Sequence, residues 1–187
     1  YFDNIVQASE QMNQLIGDLL TYARLGRQRQ SLLKLVPLGP ILAEVQNNLT
    51  PLMNEKGGQI NIVGYLPEVC GDKTLLKQIF TNLIENALVY HRPNIPPVVS
   101  LTCTPEDHAV VIVVEDNGIG IPPEFREKVF GIFQRLHSQE QYPGTGIGLA
   151  IVRKTVEMLG GVVWIEAAAV QGTRFCIRLL TQPEKDR

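Results

Sequence analysis

"HAVVIVVEDNGIGIPPEFREKVFGIFQRL", residues 108–136, decides how the chain folds. From Ala109 to Val114 it is apolar and mostly β-branched, which predicts a buried strand. The strand runs into Glu115-Asp116 and then Asn-Gly-Ile-Gly. A carboxylate at the end of a buried strand is costly unless it is paired. It can also accept a hydrogen bond from an exocyclic amine such as that of adenine. Gly118 and Gly120 let the backbone turn sharply or approach a flat ligand. A plain Asn-Gly turn explains the same residues, so both readings stand at this point. Residues 123–133 then predict a charged, solvated helix carrying Phe130 and Phe133.

Working outward, the flanking segments alternate strands and helices. "PPVVSLTCT" pairs with the central strand through a turn at residues 105–107. "GGVVWIEAAA" and "GTRFCIRLL" form a closing strand pair, and "QINIVGYLP" reads as another strand. A helix from about residue 36 carries Leu38, Ile41, Leu42, Val45, Leu49 and Leu52 on one side. Pro51 is placed to kink or divide it, and Gly57-Gly58 to end it. Another helix runs from Asp72, its cap, to Tyr90. Mixed elements with adjacent hairpins predict an α+β fold, a two-layer α/β sandwich. Residues 3–26 form a separate amphipathic helix with a heptad seam at Ile5, Ala8, Met12, Leu15, Leu19, Tyr22 and Gly26. It predicts packing against partner helices rather than against its own domain. "RLGRQRQS" reads as a linker and "TQPEKDR" as a polar tail.

Composition narrows the classes. The chain has 187 residues, 44% hydrophobic and 19% charged, so it is expected to fold. A net charge of −2 gives no pull toward nucleic acid or an anionic membrane. Cys70, Cys103 and Cys176 show no disulfide or zinc spacing and read as buried thiols. No apolar run approaches the roughly 18 residues of a membrane span. The chain starts without Met in mid-helix, so it is expected to be part of a longer protein, with any membrane segment upstream.

Two further segments carry chemistry. In "LLKQIFTNLIENALVYH", Asn82 and Asn86 lie four apart and share a helix face. Two carboxamide oxygens side by side suit a hard cation completed by phosphate oxygens, although capping or solvated Asn residues are the plainer reading. In "YPGTGIGLAIVRKTVEMLGG", Gly144, Gly146 and Gly148 open a helix whose inner face holds Leu149, Val152, Val156 and Leu159. Free amides and the helix dipole there favour a phosphate chain. No Gly-Lys-Ser/Thr follows, so this is not a P-loop, and the third glycine comes too early for a dinucleotide fingerprint.

In combination, over about seventy residues, these elements resemble the N, G1, F and G2 boxes of the sensor histidine kinases. Their catalytic domain has the Bergerat-type ATP-binding fold of the gyrase, chaperone, kinase and mismatch-repair ATPase class. The resemblance covers residues 36–180, and "FQRLHSQEQYPGTGIGLAIVRKTVE" looks most like the phytochrome-type kinases of bacteria and cyanobacteria. The first helix resembles the second helix of the family's dimerisation and phosphoacceptor hairpin. The implied domains are an incomplete hairpin at 1–30, the ATP-binding domain at 31–182 and a tail at 183–187.

The resemblance implies ATP and Mg²⁺ as cofactors. Asn82 and Asn86 would hold the metal and phosphates, with Asn82 and Arg135 the catalytic pair. Asp116 would bind the adenine amine, beside Gly118 and Gly120. Tyr90, Thr145 and Leu149 would pack near the nucleotide, and Gly144, Gly146 and Gly148 would cradle phosphate. Phe130 and Phe133 would anchor a short lid over residues 134–143, ordered by nucleotide. Implied partners are a second copy through the hairpin, an upstream sensor domain and a response regulator receiver domain. Nucleic acid is not implied, and the location would be cytoplasmic, with membrane attachment of the full protein left open.

Three departures matter. None of His91, His108 and His137 has the phosphoacceptor's context, so this chain alone is not expected to autophosphorylate. Val89 stands where many relatives carry Lys, with Arg92 a possible substitute. Ala167-Ala168-Ala169 replaces a polar turn. Hydrolytic relatives carry Glu at the position of Asn82, and an amide cannot act as a general base. A phosphotransferase is therefore expected. The alternative is a nucleotide-binding pseudokinase or scaffold. A hydrolytic ATPase is disfavoured by Asn82, and a stand-alone serine kinase of the anti-sigma type by the preceding heptad helix.

Overall fold

The computed structural model describes residues 2–25, 33–136, 142, 144–168 and 170–182. His137, most of the expected lid, the stretch after Leu25 and the polar tail lie outside the described residues.

The chain runs α1 (Phe2–Leu25), β1 (Lys34–Pro37), α2 (Leu38–Lys56), β2 (Gln59–Val63), β3 (Glu68–Gly71), α3 (Lys73–Val89), β4 (Val98–Glu106) and β5 (Ala109–Asp116). Two short 3-10 turns follow, Pro123–Phe125 and Lys128–Phe130, and then α4 (Gly148–Met158), β6 (Val162–Ala167) and β7 (Thr173–Leu180). Five strands form one sheet in the order β2-β4-β5-β7-β6. β2 is parallel to β4 and the other neighbours are antiparallel. β1 and β3 make a separate antiparallel ribbon.

The helices α2, α3 and α4 cover one face of the sheet and share a single core with it. Ile41, Phe80, Leu83, Leu101 and Ile112 are buried there. Each such side chain contributes about 1.5–3 kcal/mol relative to exposure. The other face carries Ser100, Thr102, Glu115 and Arg174, the last two joined at 3.3 Å. One covered and one solvated face give the expected two-layer α/β sandwich.

Local chemistry sets the ends of α3. The Asp72 carboxylate accepts the amides of Thr74 and Leu75 at 2.8 and 3.1 Å. That cap fixes where α3 starts. The left-handed Gly57, φ 62°, closes α2. Pro51 does not divide α2, which is continuous across it.

Two expectations are corrected, and one strand pair goes unread in the sequence. Residues 123–133 form two 3-10 turns rather than one helix, since prolines open the stretch and Gly131, extended at ψ 156°, closes it. The intervening run is too short to repay helix nucleation, and buried Val129 and Phe130 hold it instead. β1 and β3 are strands of four residues each, too short for alternation to reveal. Finally, α1 does lie against its own domain. Leu25, Ile147 and Ile151 form a small second core between α1 and α4, with Leu15, Tyr22 and Met158 packed around it. Its Met12, Ile16, Leu19 and Leu20 stay exposed. Among the described residues no helix is long and apolar enough to cross a membrane.

Candidate nucleotide site

A cleft of about 180 Å³ opens between the end of β5, the second half of α3 and the start of α4. Asn82, Asn86, Tyr90, Asp116, Gly120, Arg135, Gly144, Thr145, Gly146, Gly148 and Leu149 all line it. The fold thus brings together eleven of the residues singled out in the sequence. Gly118 and Phe133 are not in the lining.

Asp116 is 9% exposed. Its Oδ1 accepts the amides of Gly118 at 2.8 Å and Thr173 at 3.1 Å. Burial pushes its carboxyl above the ordinary range, while those two amides and the Thr173 hydroxyl pull it back. Gly118 serves the site from behind. A Cβ on it would stand 2.4 Å from the Tyr90 carbonyl and 2.9 Å from the Asp116 carboxylate. No side chain fits there without moving the turn. The turn is tied further by the Ile119 amide, which donates to the Tyr90 carbonyl at 3.1 Å.

At the other end, the Asn82 amide nitrogen donates to the Gln78 carbonyl at 2.9 Å. That commitment leaves Oδ1 turned toward the glycine loop, 2.7 Å from where a Cβ of Gly148 would lie. Gly148 is therefore needed for α3 and α4 to approach. The fixed carboxamide oxygen is a suitable donor for a hard cation. Among the described residues no group of three or more His, Cys, Asp or Glu could hold a metal. A cation here would depend on phosphate oxygens, as Mg²⁺ commonly does.

The third wall is cationic. Arg135 donates to the carbonyls of Gly144 and Tyr142, the latter at 2.6 Å. It ties the end of the 3-10 segment to the glycine loop. The Tyr142 ring packs on Tyr90 with centroids 5.2 Å apart, and its hydroxyl donates to the His91 carbonyl at 3.2 Å. Phe130 is buried edge-on against Phe175, under the Arg153 guanidinium at 4.1 Å. Phe133 is different: it is 57% exposed, with a left-handed φ of 62°. It stands outside the cleft, next to the segment expected to form the lid.

Val89 lines the cleft, and Arg92 does not supply the missing charge. Arg92 donates to the Asn117 carbonyl at 2.9 Å and to the Gln171 side chain at 2.8 Å. Sequence reasoning missed two lining residues that make hydrogen bonds in the site, Asp18 and Thr173. The Thr145 hydroxyl donates to Asp18 Oδ2 at 2.6 Å. Glu85 is exposed, yet the surrounding protein and then the Asp18 carboxylate push its carboxyl up.

A sequence model of the histidine kinase-, DNA gyrase B-, and HSP90-like ATPase matches residues 71–183. The chain belongs to this ATPase family. The span runs from the cap of α3 to the end of β7 and so contains the whole sheet except β2. The phytochrome-like protein Cph1 of Synechocystis sp. is 38% identical over 175 residues, 94% of this chain and 23% of that protein. The chain spans less than a quarter of the length of the three cyanobacterial phytochrome relatives it matches. Full-length ShkA in complex with AMPPNP superposes with a TM-score of 0.77 at 29% identity, over 94% of this chain and 37% of that one. The catalytic domain of the histidine kinase ThkA gives 0.70 at 27%, over 82% of this chain and 99% of that domain. The two-layer architecture is thus that of the histidine kinase members of the ATPase family.

Proposed function

We propose that this chain is the ATP-binding, phosphoryl-donating part of a sensor histidine kinase. The observation that carries it is one cleft holding a buried, amide-anchored Asp116 at one end and Asn82, Asn86 and the glycine loop at the other. Asp116 selects adenine by accepting its amine. Asn82 and Asn86 hold Mg²⁺, which supplies charge neutralisation to the phosphates when bound. The start of α4, with Gly144, Thr145, Gly146 and Gly148, receives the phosphate chain. Arg135 leaves its carbonyl partners to meet the terminal phosphate, where fixed positive charge favours transfer.

The transfer breaks the bond from the terminal phosphorus to the bridging oxygen and forms one to an imidazole nitrogen, with ADP leaving. Asn82 cannot take a proton from water, which favours transfer over hydrolysis. No acceptor is at hand among the described residues. His108 sits in an exposed turn beside Asp107, and His91 does not line the cleft. The acceptor therefore comes from the first helix of a hairpin whose second helix is α1. In that reading residues 1–30 belong to a dimeric hairpin and residues 31–182 to the catalytic domain. The phosphoryl group then passes to a response regulator receiver domain in the cytoplasm, under the control of an upstream sensor domain. A pseudokinase is the second reading, favoured by Val89 and by the engaged Arg92.

The deciding experiment mixes this chain with a complete hairpin of the parent protein and Mg-ATP, and looks for acid-labile phosphate on the hairpin. Label is expected with the wild-type chain and not with Asn86→Ala or Asp116→Ala. Nucleotide binding without label supports the pseudokinase reading.

A further inference from the structure

Two residues of α1, Gln14 and Asp18, enter the nucleotide cleft, although neither lies in the four motifs. Asp18 accepts the Thr145 hydroxyl at 2.6 Å. The same hydroxyl oxygen accepts the Ile147 amide at 3.4 Å, so Thr145 joins α1 to the start of α4. The apolar seat beside it is well made: Leu25, Ile147 and Ile151 are all buried. The Lys154 ammonium lies 4.7 Å from the Tyr22 ring. Ile147 stands inside the glycine loop itself, so α1 rests directly on the loop expected to receive phosphate.

We propose that α1 and the phosphate chain of a nucleotide compete for the Thr145 corner of the cleft, so that nucleotide binding releases α1 and α1 docking weakens nucleotide. The proposal rests on the nucleotide reading of the cleft. A hydroxyl carries one proton. While Thr145 donates it to Asp18, it cannot donate to a phosphate oxygen. The corner also holds two carboxylates, faced by the Arg135 guanidinium on the neighbouring Gly144 carbonyl. Asp18 and Glu85 both line it, and the Asp18 charge contributes to the upward push on Glu85. A polyphosphate brought there meets repulsion that a neutral nucleoside does not. Coupling between the two events is reciprocal: whatever loosens α1 strengthens phosphate binding by the same factor. Asp18 acts through the loop and is a positioning residue.

The test measures affinities for Mg-ATP and for adenosine by calorimetry, on this whole chain and on two variants. Asp18→Asn keeps a hydrogen-bond acceptor and removes the charge; Tyr22→Ala loosens the seat. Asp18→Asn is expected to bind Mg-ATP about threefold to tenfold more tightly, with adenosine unchanged, and Tyr22→Ala is expected to shift Mg-ATP the same way. Saturating Mg-ATP is expected to speed amide exchange along residues 14–25 of the wild type. Unchanged Mg-ATP affinity in both variants, an equal gain for adenosine in Asp18→Asn, or unaltered exchange in α1 each overturns the proposal. A wild-type chain that binds Mg-ATP normally under those outcomes leaves the nucleotide reading intact. One that binds no nucleotide sinks both.

Discussion

At Asp116 stability and chemistry pull against one another. Burial raises its carboxyl, so the folded protein holds that proton more readily than the unfolded chain. The stability of the neutral form is present below the unfolded carboxylate range and is lost as pH rises through the folded value. At neutral pH the ionised Asp116 therefore costs the fold. Asp116→Asn keeps an oxygen for the Gly118 and Thr173 amides. It is expected to melt at the same or a higher temperature at pH 7, with the difference closing as the buffer is acidified. Its affinity for adenine nucleotides is expected to fall about tenfold or more, in line with ~1.5–3 kcal/mol for a hydrogen bond to a charged group. Thermal unfolding and nucleotide titration across pH check both halves. A variant that melts lower at pH 7 and binds as before would reverse the argument. Asp116 was legible because a carboxylate ends an apolar run. Thr173, its partner 57 residues on, was not, because a threonine opening a strand looks like any other.

Among the elements, α3 was the most readable, since its cap, its apolar period and its two asparagines agree. The cap gives a clean test. Asp72→Ala is expected to cost about 1 kcal/mol of stability, seen as a lower urea midpoint with an unchanged slope. Asn82 lies ten residues downstream, about 15 Å along the axis, so nucleotide affinity is expected to hold. A matching loss of affinity would mean that the cap sets the cleft as well as the helix. Residues 123–133 were misread for the opposite reason. Their charge pattern suits a helix, but Phe130 is fixed by contacts with Phe175 and Arg153 that no local period can show. β1 and β3 owe their pairing to register with each other, Lys34 against Gly71 through Pro37 against Glu68. Neither segment declares this alone.

At the scale of the molecule, the sequence shows that α1 has an apolar stripe and not which surface takes it. The structure divides the heptad seam. Leu15 and Tyr22 face α4, while Met12 and Leu19, 64% and 46% exposed, face solvent with Ile16 and Leu20 at 52% each. Four large apolar side chains within three turns form a patch of the kind that drives association. The isolated chain is therefore expected to self-associate with rising concentration, sedimenting above its monomer mass of 20.8 kDa. Ile16→Glu with Leu20→Glu places two charges in the patch and leaves the α4 seat untouched. That variant is expected to sediment as a monomer and to keep the wild-type melting temperature within a few degrees, because neither side chain is in the core. Persistent association would locate the contact elsewhere on the chain. A large fall in melting temperature would mean that the outward face of α1 supports the fold, which its exposure argues against.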